Sequence, residues 1–162
     1  MNIKNIFFHI HYCNGRKVTA QRNYPGQVAR TLNHHLLALV IEGNGRIIID
    51  KKSFRLKSGM LCYIAPNVQH SIEPDPENPA RFLTVHFSYT YVNYSDGKWD
   101  INDSPQILPL NPVQEITDGY NTENIFKRLV DTWNTKQPGY EFLSKTLFQQ
   151  LLIAIYQNVR KQ

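Results

Sequence analysis

The sequence is short of cysteine, has no long apolar run and concentrates neither sign of charge, and each shortage removes a class of protein. Cys13 and Cys62 are its only cysteines. Their wide separation is neither a disulfide framework nor a paired metal-binding motif, so a reduced, cytoplasmic protein is expected. No stretch approaches the ~18 consecutive apolar residues of a membrane helix. Lys4 is followed by too few apolar residues before His9, His11 and Asn14 to make a secretion signal. The net charge of +5 would suit nucleic acid, but the basic residues are scattered in short groups such as Lys51-Lys52 and Arg160-Lys161, whereas a DNA-reading face needs a stripe. What remains is 162 residues, 41% hydrophobic with 9 Tyr and 8 Phe, enough for one globular domain with a sizeable core.

Short apolar runs separated by turn residues organise the first two thirds of the chain. Leu36–Ile41 is too apolar to face water on either side and reads as a doubly covered strand. Gly43-Asn44-Gly45 then suggests a hairpin turn, with Arg46–Asp50 returning as a β-branched strand. Asp50-Lys51-Lys52 turns the chain again, Phe54-Arg55-Leu56 alternates, and Leu61–Ala65 is another buried run closed by Pro66. Strands at this spacing predict a sandwich or small barrel. Upstream, Ile6–Tyr12 reads as a strand with His9 and His11 on one face and Phe8, Ile10 and Tyr12 on the other. A metal site on His9 and His11 lacks a nearby carboxylate, so a solvated or hydrogen-bonded pair is expected. Arg16–Arg22 continues as a more polar strand up to the Tyr24-Pro25-Gly26 turn, and Val28–Arg30 leads into the central strands.

Downstream, Pro74, Pro76 and Pro79 among Glu73, Asp75 and Glu77 predict an acidic loop that cannot pair as a central strand. Phe82–Tyr91 is a long strand with Phe82, Thr84 and His86 on one face and Leu83, Val85 and Phe87 on the other. Ser95-Asp96-Gly97 is a turn, and Trp99–Pro112 reads as a connection. From Asn121 onward the period changes. Ile125, Phe126, Leu129, Val130 and Trp133 recur at helical spacing behind an Asn121 or Thr122 cap, and Pro138-Gly139 separates a second helix. In that helix Phe148, Ile153 and Tyr156 widen the apolar surface beyond one stripe, which calls for a further cover, most simply a twin helix from a second subunit, with burial of both faces inside one subunit as the alternative.

The order of these motifs resembles a known family. Gly59, Pro66 and His70 look like the second half of the cupin signature. Together with Arg30, the run from His35 to Gly45, and Phe82–Phe87, they resemble the N-terminal effector-sensing domain of AraC-type bacterial transcription regulators across roughly residues 5–160. The resemblance implies a cupin-like double-stranded β-helix (jelly-roll) barrel over residues 1–112 and a helical pair over 113–162 that dimerises. It also implies a non-enzymatic, cofactor-free domain that meets DNA only through a C-terminal helix-turn-helix domain absent from this chain. Because Arg160-Lys161-Gln162 ends on a helix without a Gly or Pro stop, the chain is expected to be a fragment of such a regulator.

A metal-dependent cupin enzyme, an isomerase or a dioxygenase, is the alternative. Such enzymes need several converging N/O ligands. Here adjacent His34 and His35 must point to opposite strand faces, Leu36 stands where the family's glutamate would fall, and Glu42 comes too late, leaving His70 and His86. A small, sugar-like effector asks for less: a few hydrogen-bonding groups and a ring face. The expected contacts are Arg30, His34, His70, Ile72, Phe82 as the stacking platform, Thr84 and His86. Arg30 is placed among them because family members carry an arginine in this vicinity. For the homodimer, Phe142, Leu143 and Thr146 are the expected contacts.

Overall fold

A strand with apolar side chains on both faces is stable only with cover on each side, and Leu36–Val40 has two covers. The computed structural model describes residues 3–17, 29–104, 106–117 and 121–161. Most of the expected Arg16–Arg22 strand, the Tyr24-Pro25-Gly26 turn and Val28 lie outside the described residues. In chain order the elements are β1 (Ile6–Lys17), β2 (His35–Glu42), β3 (Gly45–Ile49), β4 (Lys52–Leu56), β5 (Met60–Ile64), β6 (His70–Pro74), β7 (Arg81–Ser95), β8 (Lys98–Asn102), β9 (Val113–Glu115), α1 (Thr122–Thr135) and α2 (Tyr140–Lys161).

One antiparallel sheet runs β1-β7-β2-β5-β9, with β8 also on β7, and the other runs β4-β3-β6. Side-chain alternation divides β2 and β7 between two cores. Leu36, Ala38, Val40 and Phe82 meet Ile47, Ile49 and Leu56 in the interior between the sheets. Leu37, Leu39, Val85 and Phe87 face Phe126, Leu129, Phe148 and Leu151 of the helices. The result is the expected mainly β barrel carrying two C-terminal helices. Past residue 112 the chain adds β9 to β5 before it turns helical.

Four local expectations are corrected. First, β2 and β3 form no hairpin, because they belong to different sheets. Gly43-Asn44-Gly45 carries the chain between sheets, and a Cβ on Gly43 (φ +81°) would sit 2.2 Å from the Pro79 carbonyl oxygen, so close approach is what requires glycine. The tight hairpin is β3–β4, turned by Asp50 and Lys51, both at positive φ. Second, the β1–β7 register shifts between Ile10 and Tyr12. This bulge puts Tyr12 on the opposite face from Phe8 and Ile10, whose helix-facing role passes to Cys13.

Third, Lys98–Asn102 is a strand, paired with Tyr91–Ser95 and held by a Tyr94–Trp99 ring contact at 4.9 Å. Fourth, Asn121 occupies the cap of α1 in a left-handed conformation without a side-chain cap hydrogen bond. In α2, Phe148 is fully buried, its ring 4.6 Å from Phe8 and 4.7 Å from Phe87, so part of the helix's apolar excess is absorbed within the chain. No helix among the described residues is long and apolar enough to cross a membrane.

Candidate functional site at the polar end of the barrel

Successive inward residues of β7 become more polar toward one end of the barrel. Phe82 is sealed, 1% exposed, and packs among the aliphatic side chains of the interior. Next comes Thr84, whose hydroxyl donates to the Asn14 carbonyl at 3.3 Å. His86 follows, with the Tyr12 ring stacked on it at 4.0 Å. His34 enters from the segment before β2, its Nε2 2.8 Å from His86 Nδ1. The Asn33 side-chain oxygen lies 3.1 Å from His34 Nδ1. A carbonyl oxygen only accepts, so His34 carries its proton on Nδ1 and accepts at Nε2 from His86 Nδ1–H. His11 and His9 extend the cluster, with ring centroids 4.8 Å apart and His11 4.8 Å from His34. Burial lowers the pKa of His34, and burial followed by the charges of His34 and His9 lowers that of His11.

The opposite sheet contributes His70 and Ile72. Both pair across β3 with interior residues, His70 with Ile49 and Ile72 with Ile47, so both face inward. His70 is 8% exposed, and its Nδ1 is buried without a hydrogen-bond partner. Burial pulls its pKa down, the Val68 carbonyl opposes this, and Arg30 adds to the lowering. Arg30 exchanges both main-chain hydrogen bonds with His70, at 2.8 and 2.9 Å, which places the two side chains on the same side, Arg30 at the exposed rim. Leu32 accepts from Asn67 N–H at 2.7 Å, so the segment from Arg30 to His34 spans the two sheets at this end. The expected contacts thus fall into two groups: Arg30, His70 and Ile72 on one wall, and His34, Thr84 and His86 on the other, with Phe82 deeper.

Sequence reasoning missed Tyr12, which stacks on His86. Its signal was faint: buried positions step from Phe8 and Ile10 to Cys13, an odd interval that only a bulge produces. His35, next to His34, leaves on the opposite face, its Nδ1 2.8 Å from Tyr63 Oη and its ring stacked on Phe87 at 5.2 Å.

The donor set does not fit a metal centre. Among the described residues no group of three or more His, Cys, Asp or Glu side chains is disposed to hold an ion. His34 and His35 diverge, and Leu36 packs in the interior core where a carboxylate would be needed. Burial lifts both thiols, Cys13 and Cys62, to about 12, so they remain protonated core groups. The site offers hydroxyl, neutral imidazole and guanidinium groups beside aromatic rings, which suits hydrogen bonding to a polar guest.

The profile of the AraC-like ligand binding domain matches residues 18–152. The chain belongs to that family. This AraC-like domain also resembles solved structures. The EutQ protein of Clostridium difficile is 22% identical, with 54% of this chain and 71% of that one covered and a TM-score of 0.39. A cupin protein from Bacteroides fragilis is 16% identical, with 66% and 80% covered and a TM-score of 0.38. A single-residue variant of the oxalate decarboxylase of Bacillus subtilis is 24% identical, with 51% and 21% covered and a TM-score of 0.37. Comparison with curated proteins returns no match. As a member of its family, this AraC-like domain is a ligand-binding domain.

Proposed function

We propose that the chain is the effector-sensing and dimerising domain of a cytoplasmic, AraC-like bacterial transcription regulator, and that a small carbohydrate-like molecule binds at the polar end of the barrel. The observation that carries this reading is His70 Nδ1, buried without a partner on an inward-facing side chain. An unsatisfied buried polar atom costs about 1–3 kcal/mol, and a guest hydroxyl relieves that cost. Arg30, at the rim beside it, brings a planar fork suited to vicinal hydroxyls. Thr84, His34 and His86 supply further polar groups on the facing wall, with Ile72 as apolar floor; Phe82, sealed in the core beneath, offers no stacking platform. Tyr12, on His86, is the added aromatic surface.

The dimer reading rests on α2. Phe142 is 80% and Leu143 50% exposed, with Thr146 one turn on, and an apolar helix face of this kind finds its cover in a second copy of the helix. Effector binding then acts by favouring one arrangement of the dimer and of its DNA-binding units, which requires a different affinity for the two arrangements. DNA is met only through those units, outside this chain.

A thermal-shift screen against sugars, sugar acids and other small metabolites tests the reading. A ligand at about 100 times its dissociation constant stabilises by roughly 2.7 kcal/mol. Arg30→Ala and His70→Ala are expected to reduce that shift while the proteins stay folded. Unchanged affinity in both removes this pocket. About one equivalent of tightly held iron, manganese or zinc in the purified protein, with chemistry to match, replaces the sensor with a metal-dependent enzyme.

A further inference from the structure

Among the described residues, β7 has a gap along one edge. Its other edge pairs with β1 as far as Tyr91, but β2 accompanies it only from Arg81 to Phe87 and β8 only from Tyr91 onward. Tyr91 pairs with Ile6 and Asn102 at once, so β8 lies on the β2 edge. Ser88, Tyr89 and Thr90 therefore have no neighbouring strand there among the described residues. Three residues span about 10 Å of strand, too short for an added peptide strand. Alternate residues aim both N–H and C=O at a given edge, so main-chain groups meet the gap. These same three residues line a cavity of about 360 Å³, at the lower end of the range for small-molecule clefts.

The lining is polar and nearly uncharged. Asn67 and Gln106 bring amides, the Ser88 hydroxyl is shared with His11 Nε2 at 2.8 Å, and Asp103 is the one charged side chain among the described residues of the wall. Two lining residues are specific. The Tyr89 hydroxyl is buried without a hydrogen-bond partner. His35, also on the wall, has a defined tautomer. Tyr63 Oη accepts from Leu108 N–H at 3.0 Å, and the buried phenol's own proton finds its acceptor in His35 Nδ1 at 2.8 Å. That leaves the imidazole proton on Nε2, the opposite edge of the ring. The Tyr89 and His35 rings, 4.8 Å apart, add an aromatic wall.

The geometry points to this gap as a second ligand site, outside the barrel interior, for a small neutral polyhydroxylated molecule of the sugar or polyol class. Hydroxyl groups donate and accept at once, which is what amides, hydroxyls and an imidazole N–H can pair with. An anionic guest would face Asp103 with no cation among the described lining residues, and a purely apolar guest would leave the Tyr89 hydroxyl and the amides unpaired. The site stands independently of the effector reading for the interior.

The test is a titration of ¹⁵N-labelled protein followed by amide NMR shifts. The neutral probes are D-glucose, D-xylose and myo-inositol; glucuronate carries a negative charge on the glucose framework. At least one neutral probe is expected to shift the amides of His35, Asn67, Ser88, Tyr89, Thr90 and Gln106, and glucuronate, whose carboxylate meets Asp103, to bind more weakly than glucose. Tyr89→Phe should weaken binding by about fivefold, the loss of one hydrogen bond. Its melting temperature should hold or rise, because the change removes an unpartnered buried hydroxyl. Thr84→Val, in the interior, should leave this binding unchanged, which separates failure here from failure of the interior site. The proposal is overturned if no neutral probe shifts these amides, if glucuronate binds as tightly as glucose, if Thr84→Val abolishes the binding, or if Tyr89→Phe leaves affinity intact.

Discussion

Burial, and then the charge of neighbouring His34, holds the His35 pKa down to about 4 from 6.5. Between these values the unfolded chain binds a proton that the folded chain refuses, so stability is lost as pH falls from 6.5 toward 4 and is whole above 6.5. The loss from this ring is about 3 kcal/mol by pH 4. His11, His34 and His70 are lowered too and act with the same sign. Urea unfolding at pH 7 and pH 4.5 is expected to show the drop in the native protein and a smaller one in His35→Gln; equal drops in both would mean that the ring titrates freely. Glycines separate by surroundings in the same way. Gly43→Ala meets the Pro79 carbonyl at positive φ and is expected to cost about 2–4 kcal/mol. At Gly97, also at positive φ but with nothing within 4 Å of an added Cβ, alanine should cost only about 1 kcal/mol. The opposed directions of His34 and His35 were legible, because strand geometry dictates them. Their partners, His86 and Tyr63, and the Tyr12 ring stacked on His86, were not, since cross-strand neighbours depend on register and on a bulge.

At the scale of elements, legibility followed how much of an element's fate its own residues decide. The continuous apolar run Leu36–Val40 announces cover on both faces, and sheet and helices provide it. The 3.6-residue period of the tail likewise announced two helices. The Gly43-Asn44-Gly45 segment was misread because glycine marks a conformation, not a pairing partner: the same residues serve a tight turn or a crossing between sheets. β8 was missed because Trp99, Asp100 and Asn102 carry no alternation of their own; its pairing comes from the Asp96-Gly97 turn and from Tyr94. Phe148 is where helix and sheet depend on each other most, with no exposed surface and ring contacts to both Phe8 and Phe87. Phe148→Ala is expected to cost about 3–5 kcal/mol, lowering the melting temperature by roughly 10 °C for a domain of this size. A loss under about 1 kcal/mol would mean that the helices rest only loosely on the sheet.

For the whole molecule, the two cores set a division of labour. The helix-side core ties α1 and α2 to the sheet, and the polar residues of the interior lie at the end where the Arg30–His34 segment spans the sheets. If the interior senses and α2 pairs, as proposed, the two functions lie on opposite faces of one sheet, a short mechanical route from effector to dimer interface. If α2 forms that interface, Phe142→Asp with Leu143→Asp should yield monomers in sedimentation equilibrium without loss of helicity; a dimer that persists moves the interface elsewhere. The central claim is that a polar guest completes the hydrogen bonding of the interior, and a crystal structure with a compound that raises the melting temperature tests it most directly. A guest oxygen is expected about 2.7–3.2 Å from His70 Nδ1, on the Arg30 side. A guest lodged elsewhere with that nitrogen still unpaired, or a metal ion caged by the histidines, would contradict it.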